Sequence, residues 1–254
     1  EEQFFDRLFN LMELARNSIS LKRKTLEKYT ENGLYPYSRV YLSDIKKHTG
    51  EYWRNHFNTI GIIGMHEALM NFIGVGITDE DGLEFAKKVL KIMNDKLIEF
   101  QEEDDMLYNL EATPAEGTSY RLAKKDKELY PNIYVSGKGK PYYTNSTQLP
   151  VNCGFDLITA LRHQDQLQPL YTGGTVFHSF IGEQIDDTQS LKELIRYISN
   201  QFRIPYFTIT PTFSICPIHG YLKGEHRYCP KCKEEKIAEI DGKIIKLKNM
   251  QINI

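Results

Sequence analysis

Apolar residues three and four positions apart mark the first element. Phe5, Leu8, Met12, Ala15 and Ile19 fall on one stripe, which predicts an amphipathic packing helix over residues 3–30. Lys22, Arg23 and Lys24 lie toward its C-terminal end, where cations suit the helix dipole, and Gly33 and Pro36 stop the pattern. The period then changes. Phe57 to Gly64 is a short apolar run bounded by glycine, as in a strand buried on both faces. A short helix from about Met65 to Phe72 follows. Thr78 to Asp81 is a helix-start signal, with Asp81 at the capping-box position that Glu or Gln usually fills. Ala86, Val89, Leu90, Met93 and Leu97 carry that helix to about residue 102.

The second half repeats the rhythm. Leu107 to Ala115 reads as a strand ending in a loop, and Tyr142 to Leu149 is rich in strand-favouring aromatic and β-branched residues. Asp156 to Leu167 reads as a helix with Leu157, Ile158 and Leu161 on one side. Gly173 to Ile181 reads as a strand. Ser190 and Glu193 form a capping box ahead of a helix with Leu191, Leu194, Ile195, Ile198 and Phe202 as its apolar face, and Pro205 to Ile215 is a last strand candidate. About five strands alternating with helices predict an α/β architecture in which parallel strands are favoured. Such folds place their sites in loops at the C-terminal ends of strands. Three loops qualify: Glu111–Tyr120, Thr144–Gln148 and the stretch near His178 to Glu183. The first two are rich in hydroxyls and amides suited to a sugar or phosphate. The same residue types also cap helices and close turns.

Composition narrows the classes. At 254 residues the chain suits one large domain with a small appendage, and 32 basic against 34 acidic residues give no global pull toward nucleic acid or an anionic membrane. No apolar run approaches membrane-spanning length. The start, EEQFFDRLFN, lacks the basic lead and continuous apolar core of a secretory signal, so a cytoplasmic protein is expected. There is no P-loop, no Gly-x-Gly-x-x-Gly and no Gly-x-Ser-x-Gly elbow.

The cysteines carry more information. Three of the four lie within 17 positions beside His219. Cys216-Pro-Ile-His219 and Cys229-Pro-Lys-Cys232 are two ligand pairs with two-residue spacers, the spacing of a zinc knuckle. A Cys₃His set fills all four tetrahedral positions, so the expected zinc is structural. His226 is a rival ligand at poorer spacing. Basic residues around the knuckles alternate with Glu225, Glu234 and Glu235, which argues against a surface that tracks phosphates. Cys153 stands apart, either at a helix start that would favour its thiolate or as an inert buried thiol. His56, His66, His163 and His178 are isolated and read as packing or hydrogen-bonding residues.

Seven strings then fall in order along the chain: Tyr35-Pro-Tyr-Ser-Arg39, His56-Phe-Asn-Thr-Ile-Gly61, Glu111-Ala-Thr-Pro-Ala-Glu-Gly117, the run from Tyr142 to Pro150, His163-Gln-Asp165, Tyr171-Thr-Gly-Gly-Thr175 and Cys216 to His226. Together they closely resemble the carboxy-terminal half of the anaerobic (class III) ribonucleoside-triphosphate reductases. The resemblance implies about half of a ten-stranded glycyl-radical α/β barrel. Its segments would be a helical one (1–34), a barrel half (35–212) and a zinc ribbon with a hairpin (213–254). It implies reduction of ribonucleoside triphosphates by radical chemistry, with formate or a dithiol as reductant and a glycyl radical made by a radical-SAM iron–sulfur activase. Cys216, His219, Cys229 and Cys232 fall on the family's zinc pattern. Asn145 and Ser146 fall near the nucleotide, and Glu111 and Glu116 in a loop facing the same cavity. The finger-loop cysteine of the family is not matched, and Cys153 does not stand in its context. Gly242, between two apolar runs, reads as a hairpin turn rather than the radical glycine. The implied protein needs partner polypeptides and forms an oligomer. A diverged, non-catalytic zinc-binding relative is the alternative.

Overall fold

A computed structural model describes residues 1–246, apart from 138, 182–184, 186, 212, 224–225, 227, 235–236 and 241–242. The chain opens with α1 (Glu2–Glu31), then two short helices, α2 (Pro36–Tyr41) and α3 (Ser43–Thr49). Strand β1 (Asn58–Ile62) leads into α4 (Met65–Phe72), the long α5 (Glu80–Asp104) and β2 (Tyr108–Ala112). Strands β1 and β2 pair in parallel, with Gly61 opposite Glu111. Helix α6 (Glu116–Leu129) follows, then a long polar excursion, α7 (Leu157–Gln164) and a 3-10 turn (Gln168–Leu170). Strand β3 (Phe177–Ile181), α8 (Thr188–Gln201) and β4 (Phe207–Pro211) form a second parallel unit, with Phe177 opposite Phe207. The chain continues through an antiparallel pair, β5 (Phe213–Cys216) and β6 (Gly220–Lys223), then α9 (Pro230–Glu234) and a second antiparallel pair, β7 (Ile237–Ile240) and β8 (Lys243–Lys246).

The α/β reading with parallel strands holds. Four of the five strand candidates are strands, in two parallel pairs. The pairs approach each other through a short stitch. Gly173 donates its N–H to Leu110 O (2.7 Å), and Ala112 N–H donates to Gly174 O (2.9 Å), so the lead into β3 runs beside β2.

The main core collects the predicted stripes. Ala86, Val89, Leu90, Met93 and Leu97 of α5 are all buried, with Phe100 one turn on, and they meet Phe5 and Met12 of α1, Ile60 of β1 and Leu110 of β2. A smaller cluster joins Leu161 of α7, Phe177, Ile198 of α8 and Ile204. Burial of each large apolar side chain contributes roughly 1.5–3 kcal/mol, so the α5 stripe anchors the body.

Several expectations are corrected. The region read as a loop through Tyr120 becomes α6 from Glu116 onward. Its buried face is only Ser119 and Ala123, too small and polar to register as an apolar stripe. The run from Tyr142 to Leu149 is not a strand; apart from an isolated bridge between Tyr142 and Ser136, its backbone groups bond to the start of α4 and to side chains instead of a ladder. Asp79, not Thr78, is the N-cap position of α5, and its carboxylate accepts from Gly76 N–H (2.9 Å). Asp187 caps α8, accepting from the N–H groups of Gln189 and Ser190, so Ser190 is inside the helix rather than its cap. Arg23 is not a solvated dipole partner. It is buried and donates to the carbonyls of Trp53 and His56 and to Asn58 Oδ1 (2.7 Å), fastening α1 to the entrance of β1.

Candidate active site and metal centre

Parallel strands β1 and β2 end at Ile62 and Ala112, and the polar excursion returns across these ends. Gly64, in the left-handed conformation that glycine adopts without strain, donates its N–H to Thr144 O (2.7 Å). Met65 N–H, at the start of α4, donates to Ser146 O (3.1 Å). Ser146 Oγ donates to Asn145 Oδ1 (2.6 Å) and lies 3.4 Å from Thr113 O, just beyond β2. Ser146 is fully buried and has φ +46°. Gly61 lets the two strand ends close up, since a Cβ there would sit 2.1 Å from Thr113 Oγ1.

Two of the four expected substrate residues are hydrogen-bonded to each other, and a third lies on the strand that leads to their partner Thr113. Asn145 and Ser146 form the turn, and Glu111 sits on β2 two residues before Thr113 with its carboxylate beside Gly174. Glu116 is different. It is exposed at the first position of α6 and is not hydrogen-bonded to the others. Of the third loop, His178 lies exposed on β3 with Nδ1 3.1 Å from Thr208 Oγ1, while Glu183 lies outside the described residues.

A buried polar network supports the turn. The Glu67 carboxylate accepts from Thr144 N–H (3.0 Å), Thr144 Oγ1 (2.6 Å) and Ser136 Oγ (2.5 Å). Thr147 and Tyr171 share a hydrogen bond (2.9 Å), and burial pushes the Tyr171 phenol up. Gln164 donates to Thr147 O (3.0 Å). Sequence reasoning missed Glu67, because a lone Glu in the first turn of a helix ordinarily serves the dipole.

Two histidines grip the backbone of one residue from either side. Ile77 N–H donates to His66 Nδ1 (3.3 Å), and His163 Nε2 donates to Ile77 O (2.7 Å). Burial lowers both imidazoles below their ordinary range. They are hydrogen-bonding residues, as expected. Cys153 departs from both of its readings. It is half-buried in a turn four residues ahead of α7, which Asp156 caps.

The metal-type cluster lies at the β5–β6 turn and α9. Donor atoms of Cys216, His219, Cys229 and Cys232 all lie within 4.8 Å of one another. Cys216 Sγ is 3.5 Å from Cys232 Sγ, and His219 Nδ1 is 3.4 Å from the sulfurs of Cys229 and Cys232 and 3.7 Å from that of Cys216. Tetrahedral zinc with bonds of about 2.3 Å to sulfur and about 2.0 Å to nitrogen would space its ligands by roughly 3.6–3.8 Å, so the set fits such an ion. Ile218 N–H donates to Cys216 Sγ (3.4 Å) and Cys232 N–H to Cys229 Sγ (3.3 Å), which orients both pairs. Amides of His219 and Ile218 hold the Cys216 thiol below its ordinary range, whereas burial and the neighbouring sulfurs push Cys232 up. One ligand is thus poised as a thiolate, and a bound cation would draw the proton from another.

Comparison with known proteins gives this architecture its family. The sequence model of the anaerobic ribonucleoside-triphosphate reductases matches residues 1–243, and the chain belongs to that family. Among curated relatives, the anaerobic ribonucleoside-triphosphate reductase of Enterobacteria phage T4 is 24% identical over 159 residues, covering 62% of this chain and 24% of that protein. Among solved structures, the Thermotoga maritima anaerobic ribonucleotide reductase with MES in the active site superposes with a TM-score of 0.67 at 23% identity. That match covers 91% of this chain and 37% of the Thermotoga chain. The same enzyme in complex with dATP and CTP gives a TM-score of 0.66 at 21% identity, over 91% of this chain and 36% of the other. At these identities the structural likeness is one of fold. The chain spans well under half the length of the relatives it matches.

Proposed function

We propose that this chain supplies the substrate-facing part of an anaerobic ribonucleoside-triphosphate reductase. The observation that carries the reading is the Asn145–Ser146 turn, held across the C-terminal ends of two parallel strands beside Glu111. Ligands of parallel α/β folds lie at such ends. In this reading the Asn145 amide orients the ribose and its hydroxyls, the buried Ser146 hydroxyl holds that amide in place, and Glu111 accepts a hydrogen bond from the sugar. The ribonucleoside triphosphate loses its 2′ hydroxyl as water, with formate or a dithiol supplying the electrons. Glu116, exposed on α6, faces a more open part of the cavity.

The radical chemistry belongs to the rest of the reductase: the finger-loop cysteine, a radical glycine on a partner segment, and the radical-SAM activase that makes the radical. Gly242 is not the radical site in this reading. It lies outside the described residues, but the strands on either side of it pair antiparallel, with Ile240 opposite Lys243. The two parallel pairs belong to a ten-stranded barrel. In support, β1 and β4 each bond to one described strand and leave an edge for further strands, while Phe180 and Tyr206 stand exposed. Cys216, His219, Cys229 and Cys232 hold a structural zinc, which ties the β5–β6 turn to α9 as a ribbon that follows the barrel half of 35–212. No helix among the described residues is long and apolar enough to cross a membrane.

The alternative, a non-catalytic zinc-binding relative, has less support, since the family match and the polar turn extend far outside the zinc segment. The test is Asn145→Ala and Ser146→Ala in the assembled anaerobic reductase. Deoxynucleotide formation should fall on the order of 100-fold, the cost of a misplaced reacting group, with the glycyl radical signal intact. Unchanged turnover in both variants would overturn the reading.

A further inference from the structure

Glu67 is fully buried on α4, and among the described residues no cation pairs with it. A buried carboxylate is costly unless donors satisfy it. All three donors come from one distant stretch of chain: Ser136 Oγ, Thr144 Oγ1 and Thr144 N–H. Ser136 and Tyr142 bridge each other through paired backbone hydrogen bonds, so the carboxylate grips both arms of the polar excursion. The residue it holds most fully, Thr144, precedes Asn145 directly. The carbonyls flanking Asn145 are held from the same helix, by Gly64 N–H on Thr144 O and Met65 N–H on Ser146 O. Ser146 has a left-handed backbone that L residues keep only where the surroundings enforce it. Other grips on the excursion flank this one: Ser119 holds Tyr143 on one side, and Gln164 and Tyr171 hold Thr147 on the other.

We propose that Glu67 is a positioning residue for the reductase reaction: its buried carboxylate, acting through Thr144, sets the geometry in which Asn145, backed by Ser146, meets the ribonucleotide. The proposal rests on the reading of that turn as the nucleotide site. Glu67 touches no substrate. Its contribution is to make the first turn of α4 and the Asn145–Ser146 turn one rigid unit, so that the two side chains need not be ordered by each substrate that binds.

The experiment uses the assembled reductase and compares Glu67→Gln, Thr144→Val, the double variant and Asn145→Ala. Glu67→Gln keeps the shape but replaces one charged acceptor oxygen by an NH₂ that can only donate, so either the Ser136 and Thr144 hydroxyls turn from donors to acceptors or the Thr144 N–H loses its partner. It should raise KM for the ribonucleoside triphosphate on the order of tenfold or more, with glycyl radical amplitude and zinc content at wild-type levels. Thr144→Val should raise KM in the same direction, and the double variant should be little worse than Glu67→Gln alone, the signature of one shared interaction. Additive effects, or a Glu67→Gln enzyme with wild-type KM beside an impaired Asn145→Ala enzyme, would overturn the positioning role and leave the nucleotide site standing. If Glu67→Gln does not fold, the KM of Thr144→Val decides: a rise supports the role and a wild-type value overturns it. Wild-type KM and turnover in Asn145→Ala would instead bring down the nucleotide reading on which the proposal rests.

Discussion

Around Leu90 and Phe100, which are fully buried, the chain packs buried apolar side chains from α1, α5, β1 and β2. Around Cys216 the described residues bury few. Ile215, Tyr221 and Tyr228 are 67%, 73% and 78% exposed, and Leu222 is the buried apolar side chain beside the ligand set. The two regions reach order by different physics. The body is a hydrophobic core under helices, whereas the described residues of the C-terminal segment converge four metal-binding donors. A polar third element, the Asn145–Ser146 turn, has neither resource and is fixed by hydrogen bonds from α4.

With the proposed zinc on Cys216, His219, Cys229 and Cys232, the contrast breaks most visibly when that ion is removed. Structural zinc in small ribbons contributes about 10–16 kcal/mol of apparent folding energy, so chelation or Cys229→Ser should erase amide protection over β5, β6 and α9. Hydrogen exchange over α1 and α5 should stay as it was. Loss of protection throughout would mean that the two regions are not independent.

Core truncation should do the reverse. Phe100→Ala removes a fully buried ring and should cost about 3–5 kcal/mol in chemical denaturation of the body. Zinc stoichiometry should remain one per chain.

Arg23→Ala tests a polar joint within the body. The guanidinium serves two carbonyls and Asn58, and each acceptor left unpaired and buried costs about 1–3 kcal/mol. Arg23→Lys should recover only part of the loss, because an ammonium cannot reproduce the fork that reaches all three.

The smallest effect is one of pH. Burial depresses His66 and His163, so their folded forms take up protons only below the ordinary value of 6.5. Between those values the unfolded chain holds more protons. Their contribution to stability is therefore complete above 6.5 and is lost as pH falls through the lowered folded values. Denaturation midpoints of His163→Gln should fall less steeply below pH 6.5 than those of the wild type; an unchanged slope would remove His163 from this account.

Legibility in the sequence follows the same divide. The α5 stripe and the knuckle spacing are local patterns, one of period 3.6 and one of two-residue spacers, and both read through to the structure. Helix α6 did not, since Ser119 and Ala123 bury a face with almost no hydrophobic signal. The stretch from Tyr142 to Leu149 looked like a strand because its residues favour extended backbone, yet its partners are Glu67 and the start of α4, more than 70 residues away. Arg23 and Glu67 share that property. Each is a charged residue on a helix whose role depends on what a distant segment brings to it, and no periodicity records that. Asn145, Ser146 and Glu111 were nameable through the ordered strings they belong to, while their convergence at the ends of β1 and β2 comes from tertiary hydrogen bonds.

The central claim is that this chain forms the substrate-facing part of an anaerobic ribonucleoside-triphosphate reductase. The most direct measurement supplies it with the remaining reductase polypeptide and the radical-SAM activase without oxygen. The glycyl radical is then recorded by electron paramagnetic resonance, alongside deoxynucleotide formation from ribonucleoside triphosphates. The account predicts product that depends on this chain and is largely lost in Asn145→Ala while the radical signal persists. Product formed equally well when the chain is omitted, or none despite a full radical signal and full zinc occupancy, would contradict it.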